Sequence, residues 1–472
     1  MTRRIFCIIM VGLCLLAGSN PLSAKPSGSK GYHIVMTSVG GQDSMLMMGY
    51  YMLGNSYVLD TAFLDKKGRF VFENKKRELK PGLYFFANAK GEFVDWVVYN
   101  EKIDFEFTAQ AGAWSSTMTV KGSKENELMC DFHRRSAEIT KAIAEGREGR
   151  DSAEYAQYRL QRRQEIDQMK LDIIKDHPES MLAKLTNATR PVIPPVVGEN
   201  GDTLTPQQRY EYYATHYWDY IPLDENWIVR TPRDIFKTPT RTYIEKTLNG
   251  LPPKLLTPYL DSLIDRSRGA EDVFRYLIHD ITEYYLQSKV MVYDEVYVHL
   301  IRRYWESGLV TWMSPSVVEE QIVRANKWEN ILVGKTAPEL IMKDTLGWAH
   351  SLHQTGGDFK LLLFWSPTCG HCKTMVPALY EAWTRMIKEF RISVYAVMTE
   401  PDEHTVELWK NFIKKHDLEG WFHLNGGEAN VDWREVYDVE STPQTFLLDS
   451  KNTIIAKHFD AELFEKLLRY ED

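Results

Sequence analysis

Two cysteines separated by two residues, Cys369 and Cys372, lie between an apolar run, Phe359–Trp365, and a helix-favouring stretch over 373–390. A buried strand that ends just before the pair and a helix that starts at it are the expected local structure. A thiolate at the first turn of a helix faces unpaired backbone N–H groups and the positive end of the helix dipole, which lowers its pKa. Cys369 is therefore the expected nucleophile. Cys372 lies one helical turn on, within reach of a mixed disulfide formed on Cys369, and is the expected resolving thiol. Such a pair can also be half of a zinc site, which needs two further ligands at ordered spacing; His350, His353, His404 and His416 are not spaced that way, so no metal is expected.

The residues around the pair extend the pattern. Strand-like runs at 392–398, 444–449 and 453–458 alternate with helical stretches at 403–415 and 461–470, an order of β-α-β followed by β-β-α. Ser441, Thr442 and Pro443 come immediately before the run at 444. Pro443 offers no N–H of its own. His371, between the cysteines, puts a partly positive imidazole near Cys369; it favours the thiolate and so raises the reduction potential.

The chain of 472 residues is too long for one core, and at roughly 150 residues per domain about three domains are expected. Residues 1–24 read as an export signal: Arg3 and Arg4, an apolar run over 5–18, and a small-residue cleavage site at Leu22, Ser23 and Ala24. That run is shorter than the roughly twenty residues of a spanning helix. Cys14 follows Leu13, where a lipid-attachment motif wants a small residue, so the general secretory route to the periplasm is the expectation. Cys130, Cys369 and Cys372 would remain after cleavage, which is one close pair and one single, not a disulfide framework. Cys130 reads as a small apolar side chain packed against a neighbour. The net charge of −8 argues against a nucleic-acid partner.

Residues 25–121 alternate apolar and polar positions in short runs between turn signals, and read as an all-β sandwich of antiparallel hairpins without a catalytic constellation. Residues 122–333 read as mostly α-helical, with a crossing at 189–206 marked by Pro191, Pro194, Pro195 and Pro206. The aromatic-rich stretch 210–220 reads as packing between helices. Residues 334–472 form the third, α/β, domain.

Through Gly334-Lys-Thr-Ala-Pro338, Leu363-Phe-Trp365, Cys369-Gly-His-Cys372, Pro377 and Thr442-Pro443, this last segment resembles the TlpA/ResA-like branch of the thioredoxin superfamily. The two preceding domains resemble the uncharacterised N-terminal domains that accompany such modules in periplasmic proteins of Bacteroidota. The resemblance implies a thioredoxin fold, thiol-disulfide exchange with protein thiols and disulfides, no cofactor, and a membrane thiol-disulfide partner that recharges the pair. It implies a cis Pro443 facing the cysteine pair, catalytic roles for Cys369, Cys372, His371 and Pro443, and substrate contacts from Thr442, through its backbone, and from Trp365 and Thr368. Two family carboxylates are absent: Leu363 stands where thioredoxin has a buried Asp, and Met375 where ResA-like proteins have a Glu. Glu400 or a water is left to accept the proton of the resolving thiol. A disulfide isomerase, which would need dimerisation, and a binding or scaffold protein with an accessory redox fold are the alternative functions.

Overall fold

The computed structural model describes residues 31–470, so the expected export signal, with Arg3, Arg4 and Cys14, lies outside the described residues. The chain is multidomain, with β-sheets first, helices in the middle and an α/β sheet last. It divides into two compact units, one built mainly from residues up to 183 and the other from 184 onward together with the short segment 52–55.

The first unit has strands β1 (Tyr32–Val39), β2 (Met45–Met52), β3 (Asn55–Phe63), β4 (Phe70–Asn74), β5 (Gly82–Ala87), β6 (Phe93–Val98), β7 (Asp104–Gln110) and β8 (Thr119–Lys121). They form two four-stranded sheets, β4-β1-β7-β8 and β3-β2-β5-β6. Strand β7 alternates strictly, Phe105, Phe107 and Ala109 buried and the residues between them exposed, as one buried sheet face requires. Trp96 stacks on Tyr84 and Phe86 in this core, and Phe105 and Phe107 meet its ring at steeper angles. The expectation of antiparallel hairpins throughout needs one correction: β1 runs parallel to β7, His33 beside Asp104 and Val39 beside Gln110. Turn signals report only sequential neighbours, whereas this pair is joined by a long crossover.

The helix Lys124–Glu145 is tied to the sheet at its start. Ser123 caps it by accepting the Asn126 N–H, and the buried Asn126 amide bonds both the N–H and the C=O of Val97 at 2.8 Å. Glycines at 146 and 149 end it, and Asp151 with Glu154 begins the next helix, Ser152–Asp176, in a capping box. Cys130 is buried in the β-rich unit's core, and burial, helped by Glu127, pushes its thiol pKa up to about 12. It packs as an inert apolar side chain.

In the second unit, helices Pro206–His216, Pro253–Arg266, Glu271–Leu286, Asp294–Leu300 and Pro315–Asn330 precede the sheet. The aromatic stretch packs inward: Trp218 and Tyr243 are buried ring against ring, and the Tyr243 hydroxyl donates to the Ala214 carbonyl. The sheet has strands β9 (Ile341–Asp344), β10 (Ala349–Ser351), β11 (Phe359–Trp365), β12 (Ile392–Met398), β13 (Phe422–Ala429), β14 (Gln444–Asp449) and β15 (Ile454–Lys457), in the order β10-β9-β13-β12-β11-β14-β15. Strands β11, β12 and β13 are parallel neighbours; on the other side of β11, β14 runs antiparallel to it and β15 antiparallel to β14. Strand β11 lies inside the sheet between β12 and β14 and is covered on both faces, which is why its residues 361–365 are apolar without alternation. Leu361, Leu363 and Trp365 point into one core, Leu362 and Phe364 into the other.

Candidate active site

The carboxyl end of β11 delivers the chain to the cysteine pair. After Trp365 the backbone turns through Ser366, Pro367 and Thr368, and Cys369 becomes the N-cap of the helix Gly370–Met386. Its φ and ψ of −68° and 125° are those of a capping residue, so its sulfur lies beside the first free N–H groups. The Cys372 N–H donates to Cys369 Sγ at 3.4 Å, and the Cys369 thiol donates to the Thr442 carbonyl at 3.2 Å. The Thr442–Pro443 peptide bond is cis. Both cysteines are free thiols.

The two sulfurs differ sharply in environment. Cys369 is half-buried; this works to raise its pKa, but hydrogen bonds with the Cys372 and Thr442 side chains and from the backbones of Cys372 and His371 outweigh it, and the thiol sits below its ordinary value. Cys372 is fully buried, and burial, with Cys369 adding to it, pushes its pKa up to about 12. The helix start thus holds one activated, reachable sulfur and one protonated sulfur in reserve behind it. His371 is exposed on the same turn.

One expectation changes. Trp365 was expected to touch substrate, yet it is fully buried, its ring 5.1 Å from that of Phe412. Its place at the end of β11 points it into the core under the helix, so it supports the site from below. Glu400, which with a water was one of two candidates for accepting the Cys372 proton, is exposed, and its Oε2 accepts from Ser366 Oγ at 2.7 Å and from Thr368 Oγ1 at 2.6 Å. Leu363 is fully buried and Met375 half-buried in the apolar core that holds Cys372.

Thr368 is exposed immediately before the nucleophile, and its role includes this hydrogen bond to Glu400. Ser366, which the sequence did not single out, is the hub of the turn. Its carbonyl accepts the Cys369 N–H at 3.2 Å, and its hydroxyl accepts the Thr368 N–H at 3.1 Å while meeting Glu400. A short hydroxyl residue before a Pro-Thr-Cys turn was the available signal. Among the described residues, no group of three or more His, Cys, Asp or Glu side chains is arranged to hold a metal ion.

Residues 333–457 match the AhpC/TSA family, residues 32–129 a domain of unknown function (DUF4369) and residues 168–328 another (DUF5106). A thiol-disulfide oxidoreductase ResA of Bacillus cereus is 27% identical over 142 residues, covering 30% of this chain and 78% of that protein. The thioredoxin-like protein YneN of Bacillus subtilis (strain 168) is 29% identical over 132 residues, covering 28% of this chain and 73% of that protein. A crystal structure of a thioredoxin-like protein from Bacteroides caccae ATCC 43185 aligns with 60% of this chain and 99% of its own, at 20% identity and a TM-score of 0.47. The C-terminal α/β domain of this chain is thus similar to the thioredoxin-like thiol-disulfide oxidoreductases.

Proposed function

We propose that this protein is a periplasmic oxidoreductase that exchanges disulfides with protein substrates through Cys369 and Cys372. The observation that carries this reading is the asymmetry of the pair: a half-exposed sulfur with a lowered pKa at a helix N-cap, and a fully buried one with a pKa of about 12 behind it. In the reducing direction, the Cys369 thiolate attacks one sulfur of a substrate disulfide, forms a mixed disulfide and expels the other sulfur as a thiolate, which takes up a proton. Cys372 then loses its proton and attacks Cys369 Sγ. The second substrate sulfur leaves as a thiolate and takes up a proton, and the Cys369–Cys372 dithiol, having given two electrons to the substrate, is now the disulfide. The oxidising direction is the same path reversed.

Thr442 and Pro443 flank the reacting sulfur, and the Thr442 backbone is the natural pairing edge for an extended substrate segment. His371 tunes the thiolate. The chemistry needs no cofactor. Export to the periplasm is supported by the pattern at Arg3, Arg4, 5–18 and 22–24, and a membrane thiol-disulfide partner would reset the pair. Self-association is compatible with the reading and is not required by it.

The test is exchange by the purified full chain and by its Cys369→Ser variant. The unsubstituted protein should reduce insulin with dithiothreitol as donor, and the variant should be inactive with an unchanged circular dichroism spectrum. With Cys372→Ala, mixed disulfides should accumulate on Cys369. No exchange with dithiothreitol or glutathione by the unsubstituted protein would end the enzyme reading in favour of a binding or scaffold role.

A further inference from the structure

The loop that presents Thr442 and Pro443 to Cys369 is held from outside the redox domain. The loop leaves the short helix Trp433–Val436 and reaches β14 after Pro443. Near its start Asp438 adopts a φ of +48°, a left-handed conformation uncommon outside glycine though tolerated by Asp and Asn. The Asp438 side chain is only 10% exposed, and its carboxylate accepts the indole N–H of Trp328 at 2.7 Å. Trp328 belongs to the last helix of the central region, Pro315–Asn330. The preceding residue, Lys327, pairs with Glu435 at 2.8 Å and lies 3.9 Å from Asp438. Trp328 is itself fixed, its ring 4.8 Å from that of the fully buried Tyr297. At the far end of the loop, the Gln444 amide donates to the Tyr437 carbonyl at 3.1 Å and draws the two ends together.

We propose that Trp328 and Asp438 form a brace by which the central helical region positions the substrate-binding loop of the redox site. This rests on the redox reading and gives the helical region a part in it. A left-handed Asp persists where its surroundings over-determine it, and here the determining contact comes from another domain. Four residues on, the Thr442 carbonyl meets the nucleophile. Trp328 and Asp438 are positioning residues, since neither is in contact with either sulfur. The consequence falls on extended protein substrates, which pair along the loop, and spares a small disulfide that needs only the Cys369 sulfur.

Trp328→Phe removes the indole N–H and keeps an aromatic ring on Tyr297; Asp438→Asn keeps a residue suited to the left-handed backbone and removes the charge. In the full chain, each should raise KM for insulin several-fold, up to about tenfold, the scale of one hydrogen bond to a charged group. The rate with oxidised glutathione should change less than about twofold, because no contact to that substrate is lost. The double variant should be no worse than the more affected single variant, as expected for two residues acting through one contact. Backbone amides of 438–443 should exchange hydrogen faster in both single variants, a readout independent of redox activity. Unchanged insulin KM and unchanged amide exchange would overturn the brace. So would a parallel fall in the insulin and glutathione reactions, which would mark general damage. Should the unsubstituted protein exchange with neither substrate, the redox reading fails at that point, and the amide-exchange comparison still decides whether the contact holds the loop.

Discussion

The difference between Cys369 and Cys372 sets a quantitative expectation for alkylation of the reduced protein. The thiolate is the reactive form, so labelling at neutral pH follows the thiolate fraction. Cys369 lies below the ordinary thiol value of 9.0, whereas Cys372 is raised to about 12. A gap of at least about three pKa units gives Cys369 a thiolate fraction at pH 7 at least about a thousandfold larger. Nucleophilicity works the other way: with a Brønsted slope of about 0.4–0.5, the more basic Cys372 thiolate is intrinsically about fifteen- to thirtyfold more reactive. The net preference for Cys369 is at least about thirtyfold before access is counted, and the full burial of Cys372 widens it further. The assay is a short pulse of iodoacetamide at pH 7, a denaturing chase with an isotopically distinct reagent, and peptide mass spectrometry. Cys130, buried and also raised to about 12, is the internal control and should label as slowly as Cys372. The pH profile for Cys369 should have its midpoint below 9.0. Labelling of Cys372 within a few-fold of Cys369, or a Cys369 midpoint at or above the ordinary value, would refute the assignment of roles.

Three further perturbations probe the surroundings. His371→Pro removes the imidazole and also the backbone N–H that helps lower the Cys369 pKa, so that pKa should rise and the reduction potential fall by tens of millivolts, about 30 mV being roughly 1.4 kcal/mol for two electrons; equilibration with a glutathione buffer measures it. Thr368→Val takes one hydroxyl from the Glu400 carboxylate and should cost about 1 kcal/mol in urea unfolding, a modest figure because both residues are exposed, while Thr368→Ser should restore it. Gly49→Ala places a methyl 2.1 Å from the Phe85 ring within the β2–β5 pair, and should destabilise the first unit by about 1–3 kcal/mol, read as a lower Tm of that unit.

The parts of the site legible in the sequence were those governed by local rules. A C-x-x-C pair between an apolar run and a helical stretch puts the first sulfur at the helix start, and Cys369 is the N-cap of that helix. Strands β11, β12 and β14 and the helices Glu403–Lys415 and Ala461–Tyr470 follow the periodicities read at 359–365, 392–398, 444–449, 403–415 and 461–470. What escaped depends on partners distant in sequence. Strand β13 contains Asn425, Gly426 and Gly427, poor strand formers, and is a strand because β12 and β9 pair with it; the Gly426 position has no room for a Cβ, which would meet the Met398 carbonyl at 2.5 Å. The parallel β1–β7 pair escaped for the same reason. The substrate contact that the resemblance implied for Trp365 fails because Trp365 is the last residue of the buried strand β11, a burial the apolar run 359–365 already signalled. Glu400 was found as a candidate, but its partners, Ser366 and Thr368, follow the neighbouring parallel strand β11, more than thirty residues earlier in the sequence.

The apolar Leu363 and Met375 around Cys372 bear on how the resolving step can run. Burial is the largest influence raising the Cys372 pKa, and two further influences come from Cys369 itself, its hydrogen bond and its charge. Both belong to the resting dithiol. Once Cys369 is bonded to a substrate sulfur it carries no negative charge, so its electrostatic opposition to a second thiolate disappears. The influences that lower the Cys372 pKa, from the Ser366 backbone and the Thr442 side chain, belong to the turn and the loop that frame the site and do not depend on the charge of Cys369. Loss of the Cys369 charge is expected to make Cys372 more acidic in the mixed disulfide than in the resting protein, and thiolate absorbance against pH in protein alkylated at Cys369 checks this. A coupling of that kind makes a buried, strongly protonated sulfur compatible with catalysis here: in the resting state it leaves Cys369 as the only activated nucleophile of the pair, and its own proton is released most readily when a substrate is already attached.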